Sequence, residues 1–109
     1  MTRYVWPEDV FVHKPAFLIT IDTEGDNLWQ KHDSITTENA RYLPRFQQLC
    51  EKYGFKPVWL TNYEMAIDPV YIEFAKDAIA RGTAEIGMHL HAWNSPPTEP
   101  LTVDDWRHK

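Results

Sequence analysis

Four residues in this chain have types and spacings that could do chemistry together. Asp22 and Glu24 form one pair, His89 and His91 the other, and each pair is spaced i, i+2. On an extended segment that spacing puts both side chains on one side. Two imidazoles and a carboxylate match a divalent-metal site with three protein ligands and an open position for water. A further carboxylate beside them could take the proton from that water. The ordinary alternatives are carboxylates that cap a turn and histidines that are simply solvated.

The elements that must bring the two pairs together are legible from the apolar pattern. Ala16-Phe17-Leu18-Ile19-Thr20-Ile21-Asp22 is nearly continuously apolar and β-branched at its centre, which predicts a strand buried on both faces of a helix-covered parallel sheet. Glu24-Gly25-Asp26-Asn27 ends it with turn residues. Its alternating oxygens do not make a calcium loop, because Asn27 stands where that loop needs Gly and Asp33 where it needs Glu. Over 38–53, Leu43, Phe46, Leu49, Cys50 and Tyr53 predict one apolar helix face. Thr36 or Thr37 is its expected N-cap, Pro44 either kinks it or marks its real start, and Gly54 closes it. Lys56–Asn62 reads as a second strand, with Pro57 at its start. Asp68-Pro69 opens a second helix through Ile72, Ala75 and Ala78 or Ile79, which Arg81-Gly82 closes. Ala84–His89 is a third short strand, 94–100 is loop, and Asp104, Asp105 and Trp106 fall in a short tail helix. Strands alternating with helices imply an α/β fold, parallel βαβαβ with right-handed crossovers. In such sheets functional groups gather at the carboxyl ends of the strands. This puts Asp22, Glu24, Thr61, Asn62, His89 and His91 on one rim.

Composition narrows the classes. The chain has 109 residues, 43% of them hydrophobic, with a formal net charge of −5, so the basic face of a duplex-binding protein is missing and no nucleic acid is expected. No stretch reaches the ~20 apolar residues of a membrane-spanning helix. The first residues lack the apolar core of a secretory signal, and Cys50 is the single cysteine; together these predict a reducing, cytoplasmic setting. Cys50, on the apolar helix face, is expected to be an inert buried thiol. Trp29, Trp59 and Trp93 are read as core or rim packing, with a sugar platform as the alternative.

Leu18-Ile19-Thr20-Ile21-Asp22-Thr23-Glu24 followed by Glu85-Ile86-Gly87-Met88-His89-Leu90-His91 resembles the polysaccharide deacetylases of the NodB-homology type (carbohydrate esterase family 4). Glu51–Leu60 is similar to that family's first helix running into its second strand, and the whole is similar to the variant deacetylases of bacterial surface-polysaccharide loci. The resemblance implies a distorted (β/α) barrel that removes acetyl groups from a sugar with a divalent metal, often zinc. Thr20-Ile21-Asp22 match the family's Thr-Phe-Asp-Asp motif as far as its first Asp, so Asp22 inherits the general base. Thr23 replaces the second, metal-binding Asp, which leaves Glu24, or alternatively Asp26, as the metal carboxylate. His89 matches the first histidine of His-Ser/Thr-x-x-His; Trp93 stands at the last position, and His91 is the substitute ligand.

The resemblance spans about residues 16–97 and reaches only the family's first two motifs. Nothing in 98–109 matches the later ones, which supply an Arg, an Asp-Trp pair and the general-acid histidine; His108 has no motif around it. The expectation is a lead-in over 1–15, then a partial deacetylase-like domain over 16–109, the N-terminal part of a longer enzyme acting on carbohydrate in surface-polysaccharide biosynthesis. The open edge of strand three would favour association, including homo-oligomers. The alternative is a non-catalytic carbohydrate-binding or interaction module on the same fold. An amidohydrolase-like metal hydrolase is disfavoured, because its His-x-His would stand on the first strand.

Overall fold

A computed structural model describes residues 15–30 and 33–107; His108 and all but the last residue of the lead-in over 1–15 lie outside the described residues. The first strand, β1, runs Thr20–Thr23, shorter than the apolar run that predicts it. Phe17 and Leu18 precede it in the open, 74% and 77% exposed.

The 3-10 turn Glu38–Tyr42 leads into helix α1, Leu43–Lys52. Pro44 lies in the first turn of α1, where its missing N–H has no helical partner to lose, so it marks the start of the helix and does not kink it. Thr37 occupies the N-cap position of the 3-10 turn without capping it; its hydroxyl donates instead to Asp68 Oδ2 at 2.6 Å. The capping acceptors come from Asp26, whose oxygens receive the N–H groups of Glu38 (2.6 Å) and Asn39 (2.8 Å). Gly54, at φ +75°, closes α1 in the left-handed region that glycine adopts at low cost.

Strand β2 is Val58–Thr61. A one-turn helix that the sequence pattern did not predict, α2 (Tyr63–Ala66), follows it, capped by Asn62 Oδ1 accepting from the N–H of Tyr63 at 2.9 Å. Helix α3, Pro69–Ala80, starts as expected, with Asp68 Oδ1 accepting from the N–H of Tyr71 at 2.9 Å. Strand β3 is Glu85–Met88, and a short helix α4, Val103–Arg107, lies in the tail. None of the helices among the described residues is long and apolar enough to cross a membrane.

The fold is α/β: an open sheet of three parallel strands in the order β1-β2-β3. Right-handed crossovers between strands added in one direction lay both connecting helices on the same face. The packing agrees. The register aligns Ile21, Trp59 and Ile86, and these pack with Leu43 of α1, Phe74 and Ala78 of α3, and Ala84. The alternate row, Thr20 and Asp22 on β1 with Glu85 on β3, is exposed. Burial on both faces of β1, expected from its apolar run, is therefore corrected to burial on one.

Trp59 is the centre of the core at 1% exposure, with Phe74 and Phe46 meeting its ring edge-on at 5.3 and 6.1 Å. Its indole N–H needs an acceptor, and Gln47 Oε1 supplies one at 2.9 Å, while Gln47 Nε2 donates to the carbonyl of Thr83 at 2.9 Å. The inward stripe of α1 is thus Leu43, Gln47 and Cys50. Leu49 and Tyr53, expected on that stripe, are 50% and 63% exposed. Spacings of four and three stay closer to one helix face than the three-residue steps to Leu49 and Tyr53 do. Cys50 is buried, and burial followed by the neighbouring Glu51 charge pushes its thiol up.

Candidate metal centre

The carboxyl ends of all three strands converge as the topology requires. Pairing continues one residue past the strands, with the N–H of Asn62 donating to the carbonyl of Thr23 at 3.0 Å and that of His89 to the carbonyl of Thr61 at 2.9 Å. Glu24 therefore leaves β1, and His89 leaves β3, at the same level on either side of β2. Strand spacings of about 4.8 Å separate the two exits by roughly 10 Å. A glutamate and a histidine reaching toward each other close that gap.

They meet at a single atom. Glu24 Oε1 lies 2.8 Å from His89 Nε2 and 2.7 Å from His91 Nε2. The three side chains are mostly buried, their ligand-type atoms lie within 4.8 Å of one another, and the group could hold a metal ion. The donor set fits: two imidazole nitrogens and one carboxylate oxygen are what such an ion takes from a protein that leaves a position open. Burial pushes the Glu24 carboxyl up, but hydrogen bonds from His91, Trp29 and His89 outweigh it and hold the group below the ordinary carboxylate value. Glu24 is accordingly ionised, as a ligand must be.

The other sequence candidates are sorted by position. Asp26, the alternative metal carboxylate, is occupied in capping the 3-10 turn and stands outside the cluster. Thr23 is turned to the helix-covered side, 3% exposed, with its hydroxyl donating to the carbonyl of Ile21 at 2.9 Å. Asp22 lies on the exposed face beside the cluster, its Oδ1 3.9 Å from His89 Nδ1. Thr61 and Asn62 are buried at the end of β2 beneath it.

Two supporting residues escaped the sequence reading. Glu64, from the unpredicted helix α2, is 8% exposed and joins the two halves of the centre. Its Oε1 accepts the N–H of Gly25, next to Glu24, at 2.7 Å, and its Oε2 accepts from Asn94 Nδ2, three residues past His91, at 2.6 Å. Gly25 must be glycine here, because a Cβ would stand 2.5 Å from Ile35 Cγ2 and 2.7 Å from the carbonyl oxygen of Thr36. Trp29, expected to pack in the core or at the rim or else to serve as a sugar platform, donates its indole N–H to Glu24 Oε2 at 2.6 Å. Its ring meets His91 edge-on at 5.0 Å, and Trp93 lies against both, 4.1 Å from His91 and 5.5 Å from Trp29. A tryptophan in an irregular loop has no periodicity to betray such a role. A glutamate in a four-residue helix has none either.

No family model, no curated protein and no solved structure matches the chain.

Proposed function

We propose that this chain carries the metal-binding half of a hydrolase that removes acetyl groups from a sugar or polysaccharide. Its three parallel strands and two connecting helices would be the first part of a distorted (β/α) barrel, of the kind that polysaccharide deacetylases use. The single observation that carries this reading is the convergence of His89 Nε2 and His91 Nε2 on Glu24 Oε1 at 2.8 and 2.7 Å, at the strand ends. The one-face helix packing of the β1-β2-β3 sheet supports the barrel, since a barrel grows by repeating that same crossover.

Glu24, His89 and His91 would hold the ion, with Zn²⁺ the first choice for a donor set of two nitrogens and one oxygen. When bound, such an ion supplies a Lewis acid that lowers the pKa of a coordinated water towards ~7 and takes up charge developing on the acetyl carbonyl oxygen. Asp22 is assigned the proton of the attacking water, as a solvent-facing carboxylate beside the centre; the departing amine or alcohol would take its proton from the general acid of the family's later motifs, in the other half of the enzyme. Thr23, turned to the helices, leaves the ligand role to Glu24, whose longer side chain reaches the histidines.

Titrating the chain with Zn²⁺ in a calorimeter tests the centre. One ion should bind, and His89→Ala or His91→Ala should abolish that binding. Acetate release from chitin oligomers, measured with the full-length gene product and with its Asp22→Asn variant, tests the chemistry. Metal-dependent release that Asp22→Asn removes, while metal affinity is kept, supports the deacetylase. Metal binding with no acetate released under any condition favours a carbohydrate-binding module instead.

A further inference from the structure

The two oxygens of Glu24 are assigned to different partners. Oε1 meets both histidine nitrogens, and Oε2 takes the indole N–H of Trp29 at 2.6 Å, a short charge-assisted bond. Resting on the reading that Glu24, His89 and His91 bind a metal, we propose that Trp29 is a positioning residue that makes Glu24 a one-oxygen ligand.

An indole N–H donates and never accepts. It can neither ligate an ion nor lose its proton in the range where proteins work, so it occupies Oε2 without competing for the metal. The ring is itself held, with His91 edge-on at 5.0 Å and Trp93 at 5.5 Å, so the donor is aimed by packing. Carboxylates that bind through both oxygens suit large, oxygen-seeking ions such as Ca²⁺. A carboxylate with one oxygen withdrawn, beside two imidazoles, leaves a small donor set that suits Zn²⁺ or Co²⁺. Trp29 thus sets both the affinity of the centre and its choice of ion.

The test compares the 109-residue chain with Trp29→Phe, which keeps the ring and loses the donor, and Trp29→Gln, which loses the ring and keeps an N–H at similar reach. Zn²⁺ affinity is read by calorimetry and coordination by the visible absorption of bound Co²⁺, with circular dichroism recording that each variant is folded. Trp29 is 52% exposed, which favours folding of both. Trp29→Phe should bind Zn²⁺ about 10–100-fold more weakly, the usual effect of losing such an outer partner. Its Co²⁺ bands should weaken as Glu24 turns its second oxygen to the ion, and Trp29→Gln should recover most of the affinity and band intensity. If Trp29→Phe matches the unaltered chain, or both variants lose affinity equally, the positioning role is overturned while the metal reading stands. If the unaltered chain binds neither ion, both fall together.

Discussion

Two buried polar side chains do opposite work at two places in this molecule. Gln47 sits between α1 and the sheet, with its oxygen on the Trp59 indole N–H and its nitrogen on the carbonyl of Thr83. Glu64 sits at the carboxyl end of the sheet, accepting from Gly25 and Asn94. The first is neutral and ties a helix to its own strands. The second is a carboxylate and ties together the two loops that carry Glu24 and His91. Beside it the buried Asn62 Nδ2 has no hydrogen-bond partner among the described residues, whereas every polar atom of Gln47 is satisfied. A fully satisfied network, which Gln47 Nε2 extends to Glu51 Oε1 at 3.0 Å, serves stability; one with a donor left over belongs to a region shaped for something else.

That contrast can be broken by mutation. Gln47→Ala strands the Trp59 N–H in the core and takes a donor from the half-buried Thr83 carbonyl, and an orphan of this kind costs about 1–3 kcal/mol. Urea unfolding should therefore show the largest loss of stability, on the order of 2–4 kcal/mol, while Zn²⁺ affinity of the folded chain stays unchanged. Glu64→Ala should cost less stability, about 1–3 kcal/mol, yet weaken Zn²⁺ binding tenfold or more, since it frees both loops. Equal effects of the two variants on metal affinity would erase the distinction.

The smallest effect belongs to a third polar contact. Asp68→Ala removes the N-cap of α3 and the partner of the Thr37 hydroxyl, for about 1 kcal/mol. The Thr37 hydroxyl and the Tyr71 N–H hold the Asp68 carboxyl below its ordinary value. Its contribution is therefore complete above the unfolded pKa of about 3.9 and disappears as the pH falls through the lower folded value. The stability gap between the unaltered chain and Asp68→Ala should be constant near neutrality and close in acid. A gap that persists in acid would mean that the ionised carboxylate is not what caps the helix.

These three residues also mark how far the sequence could be read. Asp68 was legible because a cap and a following proline are local signals, as were Gly54 and Gly82 at the helix ends. The strand-helix order followed from apolar runs, the shared rim of Glu24, His89 and His91 followed from that order together with the residue types, and Glu24 was preferred to Asp26 for its i, i+2 spacing from Asp22. Gln47 was not legible, since a polar residue on a helix reads as solvent-facing unless the N–H of Trp59 is known to need it. Glu64 lies in a single turn of helix, too short to show a period. Phe17, Leu18, Leu49 and Tyr53 misled for the converse reason: apolar character marks a residue able to be buried, and their exposure shows that the fold does not bury every such residue.

The lone thiol supplies a clock. Cys50 is 3% exposed on the inward side of α1, and its burial keeps the unreactive protonated form. An alkylating reagent therefore reaches it only in molecules whose helix has lifted from the sheet. Because the sequence contains one cysteine, each labelled chain records one opening event. Run with and without Zn²⁺, the labelling rate would report whether filling the rim of the sheet slows the breathing of a helix on its far side.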